Sequence, residues 1–166
     1  MENNQRVVWS EGMLLTPQLF QQWDQYYERH LNERLRALVA FGYGALRLDI
    51  DHDGLSNGRV TLLGFHGLLP DGVVVRIPEE DMAPQTRLIG DLFPASVDHL
   101  DVFLALPVEQ TDGVNCALGG ESGSRAARYS SAYVERKDST TGGNPQEILV
   151  ARKNLRILFS GEPTRD

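Results

Sequence analysis

Four residues within the segment 49–60 have the spacing of a calcium-binding loop. They are Asp49, Asp51, Asp53 and Gly54, at positions one, three, five and six of the D-x-D-x-D-G pattern. The twelfth position should supply a bidentate glutamate and is Val60, and the flanking residues favour strands instead of the two helices of an EF-hand. We therefore expect a solvated turn between two strands and no calcium site.

A second segment, 119–126, comes close to a nucleophile motif. In the G-x-S-x-G pattern Ser122 would be the nucleophile, but Ser124 stands where the second glycine is required. The motif also depends on a strained turn between a buried strand and a helix, and the sequence predicts neither element beside Ser122. A surface loop is the better interpretation, and a serine hydrolase is kept only as a second alternative function.

The histidines and the cysteine are too scattered to predict a metal site. His30, His52, His66 and His99 include no pair three or four residues apart, so no helix face offers two ligands. Zinc usually needs three or four such ligands, and Cys116 is the single cysteine, which also rules out an internal disulfide. The sequence predicts no metal, no cofactor, no catalytic residue and no enzyme.

Two tyrosines favour one alternative function. Tyr129 and Tyr133 would lie on one face of a strand, about 13 Å apart at ~3.3 Å per residue, as in a sugar-binding platform. Such a pair of tyrosines is more often half-buried in packing than open to a ligand. A carbohydrate- or receptor-binding module is therefore kept only as the first alternative function.

The charge balance limits the partners of the chain. The 166 residues carry a formal charge of −7, from 16 basic and 23 acidic side chains. An acidic balance argues against binding to nucleic acid and against polybasic attachment to a membrane. No apolar run approaches the ~20 residues that span a bilayer, so we expect no direct membrane insertion. The single cysteine fits a reducing cytoplasm.

One long amphipathic helix is predicted over 16–41. Thr16 can cap its first turn through the hydroxyl, and Pro17 suits the first helical position. Apolar residues then recur at steps of three and four along one stripe. They are Leu19, Phe20, Trp23, Tyr27, Leu31, Leu35, Leu38 and Val39. The helix should end near Gly42 and Gly44, which can adopt left-handed geometry.

The period of the apolar residues changes to two after Gly44, which predicts strands. About seven or eight short strands with turn signals between them indicate a mainly β fold, a β-sandwich over 45–162. Pro70, Asp71 and Gly72 are predicted to form a structural turn between two strands, with Gly72 at positive φ.

An extended arm, residues 1–15, is expected before the helix. Pro17 disfavours helix at Thr16, and Gly12 allows a bend. Apolar side chains so close to a chain end must be covered either by this chain or by another one. We expect Trp9, Met13 and Leu15 to be anchors that bury themselves on the sandwich, on a neighbouring protomer or on another partner.

The arm and the first half of the helix resemble the N-terminal signature of the TssK family of type VI secretion baseplate proteins, also called ImpJ or VasE. The signature reads W-x-E-G-M-x-L-x-P-Q-H-F-Q. The matching residues are Trp9, Glu11, Gly12, Met13, Leu15, Pro17, Gln18, Phe20 and Gln21. Leu19 departs from it, because the family usually has histidine there. The segments 67–78, 101–107, 126–129 and 150–162 also look like the family, so the resemblance extends over essentially the whole chain.

The resemblance implies a non-enzymatic adaptor that forms a homotrimer in the cytoplasm, at the inner-membrane face. It implies a β-sandwich similar to the shoulder of phage receptor-binding proteins, which engages the TssF–TssG wedge of the baseplate. In the family, a helical neck and a C-terminal head follow, and the head docks on TssL and TssM; we expect both to be absent here. The hypothesis for partner or assembly contacts comprises Trp9, Glu11, Met13, Leu15, Pro17, Phe20 and Trp23.

Overall fold

The computed structural model describes residues 5–93, 98–119 and 127–162 of the chain. Ser122 and most of the segment 119–126 therefore lie outside the described residues. The chain divides into two compact units. The first unit comprises 1–46 and 67–75, and the second comprises 47–66 and 76–166.

The long helix α1 extends over Pro17–Leu38 and belongs to the first unit. Thr16 precedes it with extended backbone, φ −116° and ψ 156°, as the following proline favours. The expectation that the Thr16 hydroxyl caps the helix is wrong, because that side chain makes no capping hydrogen bond. Pro17 sets the first helical φ by itself, and the Thr16 carbonyl accepts from Leu19 N at 3.1 Å.

The helix ends three residues before the predicted boundary. Val39 follows Leu38 with extended backbone, φ −129° and ψ 108°, and its N–H donates to Leu35 O at 2.9 Å. Phe41 adopts left-handed backbone in this connection, at φ 56°, and Gly42 does not. Gly44, the other glycine of the prediction, has positive φ, at 140°. The β-branched Val39 has a lower helix propensity than the leucine before it, which favours a helix end at this point.

A short helix, α2, occupies His52–Ser56, where we expected a turn. Asp51 is its N-cap, and Oδ1 of Asp51 accepts from Gly54 N at 2.8 Å. One aspartate of the calcium-like pattern thus satisfies an otherwise unpaired N–H group of the first helical turn. The sequence pattern Asp-x-x-Gly here marks a helix cap.

The described part of the chain contains ten strands, which confirms a mainly β fold. Seven of them have four or more residues. These are β1 (Gly44–Ile50), β3 (Leu62–Leu68), β4 (Val74–Ile77), β6 (Val102–Ala105), β8 (Tyr129–Arg136), β9 (Gln146–Lys153) and β10 (Arg156–Phe159). The other three are two-residue strands, β2 (Arg59–Val60), β5 (Arg87–Leu88) and β7 (Cys116–Ala117). A 3-10 turn, Gly90–Leu92, follows β5.

The strands form four small sheets. Their strand orders are β1-β3-β4, β10-β6, β2-β5 and β7-β8-β9. Antiparallel pairing joins β8 to β9 over eight residue pairs, from Tyr129 opposite Lys153 to Arg136 opposite Gln146. Strand β7 instead pairs parallel to β8, with Cys116 opposite Tyr129.

The core of the second unit lies between two of these sheets. Val60 of β2 packs with Ile157 and Phe159 of β10, and Ile89 and Leu100 pack against this cluster. Phe159 is 2 % exposed. Alternate residues of β10 are buried, as the two-residue period of a strand requires when one face covers a core.

The connection between β3 and β4 is a tight turn built on Pro70, Asp71 and Gly72. Gly72 N donates to Leu69 O at 2.9 Å, and Gly72 has φ 92°, a region that glycine adopts without strain. The turn contacts α1 within the first unit, because Asn32 Nδ2 donates to Asp71 O at 3.1 Å. Arg36 Nη2 likewise donates to Pro70 O at 3.0 Å.

Candidate interaction surface

Residues 5–15 fold back onto the first half of α1 and form, with that helix, what we call the arm–helix surface. Gly12 adopts φ 78°, and Met13 N donates to Ser10 O at 3.3 Å, which closes a turn. Gln22 Nε2 of the helix donates to Gln5 O at 2.8 Å. The bend at Gly12 and the hydrogen bond from Gln22 thus help to hold the arm along the helix.

Six aromatic rings follow one another along this surface, and we call them the aromatic ladder. Trp9 of the arm contacts Phe20 and Trp23 of α1, with ring centroids 6.3 and 5.9 Å away. The ladder continues from Trp23 through Tyr27 and Tyr26 to His30, with centroid distances of 6.0, 5.3 and 4.4 Å. The distances and the tilted or edge-on angles match favourable aromatic pairs.

The ladder is packed along its length but open to solvent on its outer side. Trp9 is 47 % exposed, Trp23 39 % and Tyr27 49 %. Helix α1 contributes no buried residue at all, and Leu31 and Leu35 on its apolar stripe are also exposed. An amphipathic helix normally buries its apolar stripe. This surface therefore presents more large apolar side chains than a free protein surface usually does.

The structure brings three of the seven predicted contact residues together, namely Trp9, Phe20 and Trp23. The remaining four are arranged differently. Glu11 is exposed in the turn, and Pro17 is exposed at the start of the helix. Met13 is half-buried, and Leu15 is 61 % exposed. Whether any of the seven contacts a partner stays a prediction.

Sequence reasoning missed a groove at the other end of the ladder, which we call the arginine groove. It has a volume of about 400 Å³ and is lined by Arg6, Tyr26, Tyr27, His30, Leu31 and Arg34. The spacing of Tyr26 and His30, four residues apart on a helix, could have indicated that these rings meet. Nothing in the sequence pattern indicated that Arg6 and Arg34 line the same groove.

The alternative sites receive no support from the described residues. Across 5–93, 98–119 and 127–162, no group of three or more histidine, cysteine, aspartate or glutamate side chains is arranged to hold a metal ion. Tyr129 is half-buried and hydrogen-bonded to Arg128 Nε at 3.2 Å, whereas Tyr133 is 70 % exposed. The two rings thus do not form an equally open pair. Ser122 lies outside the described residues.

Shifted pKa values occur in hydrogen-bonded structural contacts of the second unit. Glu162 accepts two hydrogen bonds from Arg87, at 2.8 and 2.6 Å, and one from Phe159 N at 2.9 Å. Arg87, and next the Phe159 N–H, lower the pKa of Glu162 from its ordinary 4.5 to about 2. Two backbone N–H groups, of Thr140 and Thr141, lower the pKa of Asp138. Both carboxylates are ionised and accept hydrogen bonds, whereas a general acid needs a raised pKa so that it still carries a proton near neutral pH.

None of the helices within the described ranges is long and apolar enough to cross a membrane. An exposed aromatic ladder on a mainly β chain has the composition of an interaction surface. Comparisons with known proteins identify the family of the chain. Residues 19–166 match the model of the bacterial type VI secretion family that includes EvfL, ImpJ and VasE.

Known relatives agree with this match. The chain is 37 % identical over 158 residues to the type VI secretion system baseplate component TssK1 of Pseudomonas aeruginosa. The aligned residues cover 95 % of this chain and 35 % of that relative. A crystal structure of TssK superimposes with a TM-score of 0.84 at 28 % identity, over 98 % of this chain and 36 % of that one. The chain belongs to the VasE/ImpJ family of type VI secretion proteins. It spans about a third of the length of the relative TssK1.

The same fold occurs within a larger assembly. A chain of the type VI secretion TssK–TssF–TssG baseplate subcomplex, solved by cryo-electron microscopy, superimposes with a TM-score of 0.84 at 24 % identity. The superposition covers 98 % of the present chain and 53 % of that chain. At this identity the likeness establishes the fold.

Proposed function

We propose that this chain is a structural, non-enzymatic part of a type VI secretion baseplate and that its arm–helix surface docks the TssF–TssG wedge. Family membership supports the first part, together with a relative that is itself a baseplate component. The second part is supported by one observation above all, the exposure of the aromatic ladder around Trp9 and Trp23.

The ladder has the chemistry of a protein–protein contact. Tryptophan and tyrosine are enriched in the fully buried centres of interfaces, where they carry much of the binding energy. Trp9 is about half exposed, so a partner could cover roughly 100 Å² of its side chain. At ~25 cal/mol per Å² this is roughly 2–3 kcal/mol in gross transfer terms, enough for one residue to change binding measurably.

The resemblance to the TssK family supports three further parts of the proposal. The protein acts as a homotrimer, it works in the cytoplasm at the inner-membrane face, and residues 45–162 form its shoulder domain. The contacts with TssL and TssM that the resemblance assigns to the C-terminal head are not proposed for the residues of this chain.

A capture experiment tests the proposal. The full-length protein that carries this chain is co-expressed with its TssF and TssG, and the wild type should co-purify with them. Trp9→Ala combined with Trp23→Ala should reduce capture strongly, because a partner could cover the exposed part of both rings. The two rings also pack on each other, so the melting temperature of the variant is measured and capture is assayed where the variant is folded. Tyr133→Ala, an exposed aromatic on β8, is the matched control and should be captured normally.

The outcomes separate the parts of the proposal. Failure of the wild type to capture TssF–TssG would refute the wedge function. Normal capture of the double variant would refute the assignment of the arm–helix surface. Light scattering on each protein shows whether a loss of capture follows from a lost trimer. A fall in melting temperature of several degrees with normal assembly would show that the ladder only completes the fold of its own unit.

A further inference from the structure

The arginine groove carries two cations that have no partner among the residues the structure describes. Within the described ranges 5–93, 98–119 and 127–162, no hydrogen bond or ion pair involves Arg6 or Arg34. Both side chains belong to exposed residues, and none of the six lining residues is acidic. Other arginines of the chain are engaged, such as Arg36 on the turn and Arg87 on Glu162. The groove therefore presents two unpaired guanidinium groups.

The walls of the groove favour a peptide over a free ion. Tyr26 is wedged between Tyr27 and His30, with ring centroids 5.3 and 4.4 Å away, so the rings hold one another in place. Leu31 adds an apolar side chain to the lining. Preformed aromatic and aliphatic walls around a cation are the composition of an interface centre, where tyrosine and arginine predominate.

The position of the groove favours the same kind of occupant. Tyr26, Tyr27 and His30 belong both to the groove and to the aromatic ladder, so the two form one continuous surface within the first unit. A segment that lies along the ladder would reach Arg6 and Arg34 without a break. A nucleic acid is disfavoured as the occupant, because the chain as a whole has a charge of −7.

We propose that the arginine groove binds the carboxylate of an aspartate or glutamate in a segment of the docked partner protein, whose apolar neighbours pack on the aromatic ladder. Two guanidinium groups can donate several charge-assisted hydrogen bonds to one carboxylate. This inference rests on the proposed wedge docking and adds to it the chemistry of the wedge segment. It makes binding specific for an acidic residue at one position along the ladder.

The test measures the affinity of the full-length protein for purified TssF–TssG at several salt concentrations. Arg6→Glu combined with Arg34→Glu should raise the dissociation constant at least about tenfold, because charge-assisted hydrogen bonds are lost and repulsion replaces them. Arg6→Lys combined with Arg34→Lys should lose less affinity, because lysine keeps the positive charge but lacks the forked guanidinium that binds a carboxylate with two hydrogen bonds. Arg136→Glu, at an exposed position on β8, is the matched control and should bind as the wild type does.

Salt dependence distinguishes charge recognition from packing. Wild-type binding should weaken as salt rises, and the double reversal should have a shallower salt dependence. Unchanged affinity in the double reversal, or an equal loss in Arg136→Glu, would overturn the inference while leaving wedge docking intact. A loss that is the same at all salt concentrations would also overturn it, because the arginines would then act by packing. Absence of wild-type binding would instead refute the wedge function, and the inference with it.

Discussion

At the scale of single residues, the sequence predicted local backbone geometry at proline and glycine, because these residue types have unusual allowed backbone angles. Pro17 begins the helix, and Gly72 adopts positive φ. The sequence could not predict Phe41 at φ 56°, since a phenylalanine gains nothing from that region by itself. Nor could it predict that Asp51 would cap a helix, because capping needs a helix that glycine at position 54 disfavours.

The turn glycine provides a residue-scale prediction. Gly72→Ala should destabilise the protein by about 1–3 kcal/mol, because alanine is strained at φ 92° and its Cβ would meet the side chain of Asn32. That contact would also disturb the hydrogen bond from Asn32 to Asp71 O. Denaturant unfolding of the variant gives the free energy directly.

Gly142→Ala is the control for this measurement. Gly142 also has positive φ, 70°, but a Cβ there would have nothing within 4 Å. Gly142→Ala should therefore lower the free energy of unfolding only through backbone strain, and by less than Gly72→Ala does. Equal costs at the two positions would contradict the view that the packing of Asn32 on the turn matters.

At the scale of elements, periodicity predicted the long helix and the longer strands, and failed where an element depends on distant neighbours. The apolar steps of three and four define α1 without further information. The two-residue strands β2, β5 and β7 exist only because another strand lies alongside, and such pairing has no local signal. The arginine groove has the same origin, because residues 6 and 34 line one groove only once the arm has folded back.

The tail after β10 provides an element-scale prediction. Glu162 connects β5 to β10, because it pairs with Arg87 and accepts from Phe159 N, while Arg87 also donates to Ile157 O at 3.0 Å. The Arg87 guanidinium lies 4.7 Å from the ring centroid of the buried Phe159. Glu162→Gln should lower the melting temperature at neutral pH, since the amide keeps the shape and loses the charge.

The pH dependence of that effect follows from the lowered pKa. A carboxylate whose pKa is lower in the folded than in the unfolded protein stabilises the fold above the unfolded value. Stabilisation by Glu162 should therefore be complete above about pH 4.5 and be lost as the pH falls towards 2. The difference in melting temperature between wild type and Glu162→Gln should shrink over this range. A difference that is constant from pH 7 to pH 2 would show that the charge is irrelevant.

At the scale of the whole molecule, the sequence contained two kinds of information about function. The resemblance along the chain identified the family, which the matched residues 19–166 and the relative TssK1 confirm. Six of the seven predicted contact residues belong to the same signature, and two of these six, Trp9 and Phe20, meet in the ladder. What covers the ladder is a property of an assembly, and the sequence of one chain contains no direct signal of it.

The central claim is that the arm–helix surface is the docking surface for the wedge, and amide hydrogen exchange tests it most directly. Exchange is measured on the full-length protein alone and bound to TssF–TssG. We expect increased protection on binding in residues 5–38, which form the arm and α1, and no change in β8, residues 129–136. Protection confined to the strands of the second unit, with residues 5–38 exchanging equally in both states, would contradict it.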